Sequence, residues 1–151
     1  MNSLLFSTRK LLLILFVLFT SISYSQEEEK IDVPFAILED IPRFPNCIDD
    51  SMSTQEAKQC FNQEMNNHIK MHLKYPREAV KKKIEGRVTV LFIINNQGYI
   101  KNIRIKSAVG TELLAIEAER IMKLLPKFKP GMQKGKPVNV SYAQPIMFKL
   151  Q

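Results

Sequence analysis

The chain has 151 residues, with 22 Lys and Arg against 15 Asp and Glu, two Cys, no Trp and 45% apolar residues. It carries +7 at neutral pH, and its pI is near 9.5. The length fits one domain with a modest core, and nine Phe within that apolar share exclude a fully disordered chain. Five Gly and eight Pro exclude collagen-like architectures, and two Cys are too few for a disulfide-scaffold miniprotein. The basic balance points first to nucleic acid or anionic lipid, but the order of the residues argues against both.

Arg9 and Lys10 precede an unbroken apolar run over residues 11–19, and Ser23 and Ser25 stand where a signal peptidase reads small side chains. A spanning helix needs about 20 apolar residues, and this run falls well short. Residues 1–25 therefore read as a signal peptide cleaved after Ser25, with an uncleaved membrane anchor as the alternative. Cleavage leaves 20 basic against 15 acidic residues, a net +5. Residues 26–50 hold eight acids and two bases, whereas residues 66–151 hold 17 bases and five acids. An exported protein rarely meets nucleic acid, and the basic half lacks the interleaved aromatics of a base-stacking surface. Its lysines, including Lys81-Lys82-Lys83, read as a solvated face.

Residues 26–46 read as an acidic linker containing Pro34, Pro42 and Pro45. Cys47 and Cys60 follow, with twelve residues between them. In an oxidising compartment that pair is expected to form a structural disulfide, since a redox-active pair is more often C-x-x-C. Ser53-Thr54-Gln55-Glu56 is a capping-box pattern. It predicts a helix to about residue 73, whose apolar stripe is Ala57, Phe61, Met65, Ile69 and Leu73. Tyr75-Pro76 ends that helix, and Pro76 is suited to begin a second, short one through about residue 83.

From Gly86 the period becomes two. Val88, Val90, Phe92 and Ile94 alternate with Thr89, Leu91 and Ile93, which predicts a strand covered on both faces. Asn95-Asn96-Gln97-Gly98 is a turn, and residues 99–107 complete a hairpin with Lys101 and Arg104 outward and Ile103 and Ile105 inward. A third helix follows Gly110-Thr111, with Leu114, Ala118, Ile121 and Leu125 toward the sheet. Glu112, Glu117, Glu119, Arg120 and Lys123 fit solvent, and Pro126 stops the helix. A last strand covers residues 138–148. The fold class is α+β: a small antiparallel three-stranded sheet made of a hairpin and the C-terminal strand, helices packed on one face, and an extra N-terminal helix.

Glu64, His68 and His72 recur every four residues on one helix face beside Cys60, which makes them the candidate metal ligands. The Cys spacing is wrong for a zinc finger and a disulfide offers no thiolate, so the favoured reading is a polar stripe. No Gly-x-Ser-x-Gly, phosphate loop or metalloprotease motif is present. Neither catalysis nor a cofactor is expected.

Tyr75-Pro76-Arg77-Glu78-Ala79, the run from Glu85 through Phe92 and Gly98-Tyr99-Ile100 are similar to the C-terminal domain of TonB, the energy transducer of Gram-negative envelopes. The resemblance continues through Leu113, Ala118, Leu125-Pro126-Lys127-Phe128-Lys129-Pro130-Gly131, Gly135-Lys136-Pro137-Val138 and Pro145-Ile146-Met147-Phe148. The upstream segment, with Cys47, Cys60-Phe61, Met65 and His68-Ile69, resembles the entry segment of Bacteroidetes-type relatives. Lys74 stands where the family often has Gln, Ala115 where many members have an acid, and Phe128 where many have Trp.

The resemblance implies a binding module that receives the TonB box of an outer-membrane receptor as an added strand. It places the pairing edge at Val138, Asn139, Val140, Ser141 and Tyr142, with Lys74, Tyr75 and Pro76 as further contacts. The expected divisions are a signal peptide over 1–25, a linker over 26–46, a disulfide-stapled helical segment over 47–74 and the TonB-like domain over 75–151. The expected location is the periplasm, or the inner membrane facing the periplasm if the signal segment is retained. The alternative function is a soluble envelope protein that binds peptidoglycan or a periplasmic partner without transducing energy.

Overall fold

The computed structural model describes residues 32–49 and 51–150, and the expected signal peptide and the start of the expected linker lie outside them. The capping box forms as predicted. Glu56 Oε2 accepts from the Ser53 amide at 2.8 Å, and Ser53 Oγ accepts from the Glu56 amide at 3.3 Å. Helix α1 runs Thr54–His72 and buries Ala57, Phe61, Met65 and Ile69. Pro76 caps the short helix α2, Arg77–Lys81, standing one residue before its expected place. Lys83, at φ 53°, turns the chain toward the sheet.

Strands β2 (Gly86–Ile94) and β3 (Ile100–Ser107) form the predicted hairpin. In its turn, Asn95 Oδ1 accepts from the amides of Gln97 and Tyr99 at 3.0 and 2.8 Å. Gly98 has φ 86°, and a Cβ there would lie 1.9 Å from the Phe128 carbonyl oxygen, so only glycine fits. A bulge opposite Phe92 shifts the register between the Leu91–Arg104 and Ile93–Lys101 pairs. It explains how Lys101 can face solvent while Ile103 turns inward, which strict alternation forbids. Helix α3 (Glu112–Lys123) packs on β2 and β3 through Leu114, Ala118 and Ile121.

The final strand β6 (Val140–Phe148) pairs along its whole length with β2, so the C-terminal strand is interior to the sheet on that side. The three long strands are those expected. To them the structure adds β1 (Val33–Pro34), parallel to the start of β6, giving the order β1-β6-β2-β3, and a separate small pair, β4 (Met132–Gln133) with β5 (Lys136–Pro137).

Two expectations change. β2 is covered on one face only: Val88, Val90, Phe92 and Ile94 are buried, but Thr89, Leu91 and Ile93 are half-buried. Residues 32–46, expected as linker, are packed on the domain instead. Leu38, Ile41, Phe44 and Cys47 are all buried in the same core as Phe61, Val90 and Phe148. Backbone bridges join Asp40 to Met132 and Arg43 to Lys129. The reason is a period of three: extended, proline-bearing chain turns every third side chain to one side, and the dihedrals at Pro34, Leu38 and Phe44 are of that kind.

The Cys47–Cys60 disulfide is present and ties this strap to α1. Its 13-residue separation corresponds to roughly 3 kcal/mol in the chain-entropy account. The glycine turn gives a sharp test. Gly98→Ala is expected to cost more than about 2 kcal/mol, because backbone strain and a backbone collision coincide. Gly110→Ala, at the same φ of 86° but with nothing within 4 Å, is expected to cost about 1–2 kcal/mol. Urea midpoints of the two variants measure the difference.

Candidate functional site: the outer edge of β6

β6 has one edge on β2 and one edge facing outward. Pro145 stands opposite Thr89 and has no N–H, so it occupies a position whose backbone groups point away from β2. By the period of two, Ser141, Ala143 and Met147 present their backbone groups outward as well. The Asn139 carbonyl, accepting from the Val33 amide at 2.8 Å, has the same parity. Along this edge Val33 and Pro34 stand beside Val140 and Ser141. No described strand pairs with Ala143, Pro145 or Met147 on that side, and all three are exposed. The Pro145 carbonyl accepts from Gln144 Nε2 at 2.9 Å.

The five residues expected at the pairing edge are contiguous here, but their roles differ. Val138 is half-buried, and its amide donates to Gly131 at 3.0 Å. Asn139 Oδ1 accepts from the Asn96 amide at 3.2 Å, tying the start of β6 to the hairpin turn. Val140 is fully buried and Ser141 half-buried. Tyr142 sets its ring 5.2 Å from Phe61, 4.7 Å from Phe35 and 5.6 Å from Phe92. Its hydroxyl reaches Asn62 Oδ1 at 3.4 Å, and burial pushes its pKa up. Phe35 and Asn62 belong to this site and were not legible as such; the pairing of Phe35 with Tyr142 has no local sequence signal.

Lys74, Tyr75 and Pro76 lie at the other end. The Tyr75 ring meets Phe148 edge-on at 5.9 Å, and its hydroxyl donates to the Ile84 carbonyl at 2.6 Å. Burial, then the charge of Glu85, raises the Tyr75 pKa. Six residues of strand separate Phe148 from Tyr142, about 20 Å, so the two sets of expected contacts are not brought together. The Lys74 side chain is exposed, while its amide donates to Glu117 Oε1 at 2.7 Å.

Glu117 is a correction to the expected solvent face of α3. It is 7% exposed and also accepts from Arg120 Nε and Nη2 at 2.8 and 2.7 Å. Arg120 Nη2 donates to the His72 carbonyl as well, at 2.5 Å. Helix α3 thus holds the exit of α1 through a buried carboxylate.

The candidate metal ligands are engaged in the same packing. His68 is buried with Nε2 3.0 Å from the Ile121 carbonyl, which can only accept, so Nε2 carries the proton. Its ring lies 4.5 Å from that of His72. Glu64 accepts from Asn46 and Asn67 at 3.1 and 3.3 Å. Among the described residues no group of three or more His, Cys, Asp or Glu is placed to hold a metal ion.

A family model described as "Gram-negative bacterial TonB protein C-terminal" matches residues 71–150, more than half of the chain. The chain belongs to the TonB C-terminal family. Protein TonB of Pasteurella multocida is 32% identical over 93 residues, covering 58% of this chain and 36% of that protein. Protein TonB of Pseudomonas aeruginosa is 34% identical over 77 residues, covering 51% and 22%. The chain therefore spans well under half the length of either curated relative. Among solved structures, the Helicobacter pylori TonB-CTD has a TM-score of 0.46 at 24% identity, covering 68% of this chain and 87% of that one. The Pseudomonas aeruginosa TonB CTD has a TM-score of 0.43 at 33% identity, covering 52% and 78%. The TonB-family match holds all of β6 and the Tyr75-Pro76 motif; the strap, the disulfide and most of α1 precede it.

Acid should reveal the two buried titrating groups separately. Burial disfavours the charge on Glu117, but bonds from Arg120 and the Lys74 amide, with the charges of both residues, outweigh it and hold the carboxyl below its ordinary 4.5. His68 is held below 6.5 by burial, against the bond to Ile121, with the charge of His72 adding to the lowering. Both groups contribute stability above their unfolded pKa values and lose it as pH falls through the folded ones. The denaturant midpoint is expected to begin falling below about pH 6.5, and this stage is absent in His68→Asn. A second fall below about pH 4.5 is reduced in Glu117→Gln, which itself costs about 1–3 kcal/mol at neutral pH. Urea titrations from pH 8 to pH 3 check both.

Proposed function

We propose that this chain is an exported envelope module that binds an extended segment of an outer-membrane TonB-dependent receptor as an added strand on the outer edge of β6. The observation that carries the reading is that this edge already accepts an extended segment, β1, in parallel register. Backbone groups supply the attachment, each bond worth about 0.5–1.5 kcal/mol net. The rings of Phe61 and Tyr142, on which Phe35 packs, supply a side-chain contact beside it. The activity is binding, in service of TonB-dependent transport, and involves no bond-making chemistry. The disulfide suits an oxidising compartment such as the periplasm. Among the described residues no helix is long and apolar enough to cross a membrane.

Calorimetric titration with peptides from the TonB boxes of receptors of the same organism tests the reading. Ala143 points its amide outward and is exposed, so Ala143→Pro removes a donor from the free edge without touching the pairing with β2. That variant is expected to melt within a few degrees of the parent and to bind receptor peptide about two- to tenfold more weakly, the loss of one bond at this edge. Failure of every receptor peptide to bind, to the parent and to chains whose strap is released, would overturn the receptor assignment. Retention on isolated sacculi, together with that failure, would favour a peptidoglycan partner.

A further inference from the structure

The segment that occupies the β6 edge is held lightly at its tip and firmly at its root. Among the described residues of this segment Val33 and Pro34 pair with β6, and Val33 gives its amide to Asn139 at 2.8 Å. Pro34 has no amide to give. Phe35 is half-buried, its ring 4.8 Å from Phe61 and 4.7 Å from Tyr142. Pro34 and Ala36 are exposed, and Ile37 is 69% exposed. Burial resumes at Leu38, 4% exposed, and beyond it the strap is fixed by Ile41, Phe44, the bridges at Asp40 and Arg43, and the disulfide. Residues 33–37 are thus attached by two paired residues and one half-buried ring, whereas the root is fixed by buried side chains, backbone bridges and the disulfide.

We infer that residues 33–37 are a resident, displaceable occupant of the β6 edge, and that the peptide which replaces them carries their pattern. That pattern is an aliphatic residue beside Val140 and, two positions later, an aromatic ring between Phe61 and Tyr142, in parallel register. The inference rests on the reading of this edge as a peptide-binding site. A partner lacking the aromatic gains the backbone bonds but leaves the ring faces of Phe61 and Tyr142 uncovered, and so competes poorly with Phe35. The preceding position favours an acid. Asp32 shares one hollow with Lys101 and an adjoining one with Arg104, on the side where β3 carries those bases. The partner is thus an acidic-aliphatic-x-aromatic peptide.

The strap masks the edge in proportion to its occupancy, because the apparent affinity of a partner is its intrinsic affinity reduced by the fraction of molecules with the edge open. The probe is a fluorescein-labelled synthetic peptide with the sequence of residues 32–38, titrated by anisotropy into the parent chain, Val33→Pro and Phe35→Ala. Val33→Pro removes the one strap amide seen to bond Asn139 and leaves the ring cluster in place, so it stays folded if Phe35→Ala does not; circular dichroism melts verify each. The probe is expected to bind the two variants at least about tenfold more tightly than the parent. A probe with Ala in place of its Phe should lose about tenfold on Val33→Pro. Equal affinity for parent and variants, binding to none of them, or indifference to the Phe would each overturn the inference. Receptor-derived peptides are titrated in parallel. If they bind parent and variants alike, the strap inference fails and the receptor reading stands; if they bind nothing while the strap probe behaves as expected, the reverse holds.

Discussion

The ring of Phe61 lies among Phe35, Phe44, Phe128 and Tyr142, at centroid separations of 4.8, 5.3, 6.0 and 5.2 Å. These five side chains come from the tip of the strap, its middle, the first long helix, the connection after α3 and the last strand. Phe61 is fully buried, and a buried side chain of this size contributes about 1.5–3 kcal/mol by removal from water alone. More important is that Phe61 is the ring that meets all four of the others, while Phe35 with Tyr142 and Phe44 with Phe128 close the cluster in pairs. Cys60 is its neighbour in sequence, so the disulfide fixes the rotation of α1 at the point where that ring must enter the cluster. The edge of β6 has a defined shape because Tyr142 packs on a ring that is itself held from four sides.

A second constraint acts at the other end of α1. Its last turn would leave carbonyls unpaired, and α3 supplies a donor for one of them, Arg120 giving to the His72 carbonyl. Two further bonds join the same elements: Glu117 accepts from the Lys74 amide, and His68 donates to the Ile121 carbonyl. The Tyr75-Pro76 turn is therefore held by side chains 40 or more residues away in sequence. This accounts for a charged residue buried on a helix that reads as cleanly amphipathic. Removing one member of such a pair leaves the other charge without a partner, so the turn and the helix that braces it depend on one another.

Sequence patterns made the regular elements legible because their periods are strong. The capping box, the four-residue stripe of α1, the alternation in β2 and the Asn-Gly turn each report a local requirement. The placement of Glu117 was hidden because its partner is a backbone amide, which has no residue identity. The strap was hidden for a different reason: three prolines suggest a linker, and the apolar period of three at Leu38, Ile41, Phe44 and Cys47 is neither helical nor that of a strand. At the candidate site, the strand β6 itself was legible from its alternation. Whether their outer edge is bare or occupied depends on a parallel contact more than 100 residues away in sequence, between Val33 and Val140. Nothing in β6 itself encodes that contact.

Pro145 lies on the same edge beyond the strap, and Gln144 closes its carbonyl. A strand with a long run of open donors and acceptors recruits other copies of itself, and proteins commonly interrupt such runs with proline. Here the run is short on both sides: Val33 and Pro34 cover its beginning, and Pro145 breaks its end. A second copy of β6 approaching edge to edge meets few unpaired amides, whereas a short, irregular peptide needs no more than that. The proline thus limits how far a second copy can zip onto this edge without sealing it, a matter of colloidal behaviour as much as of recognition.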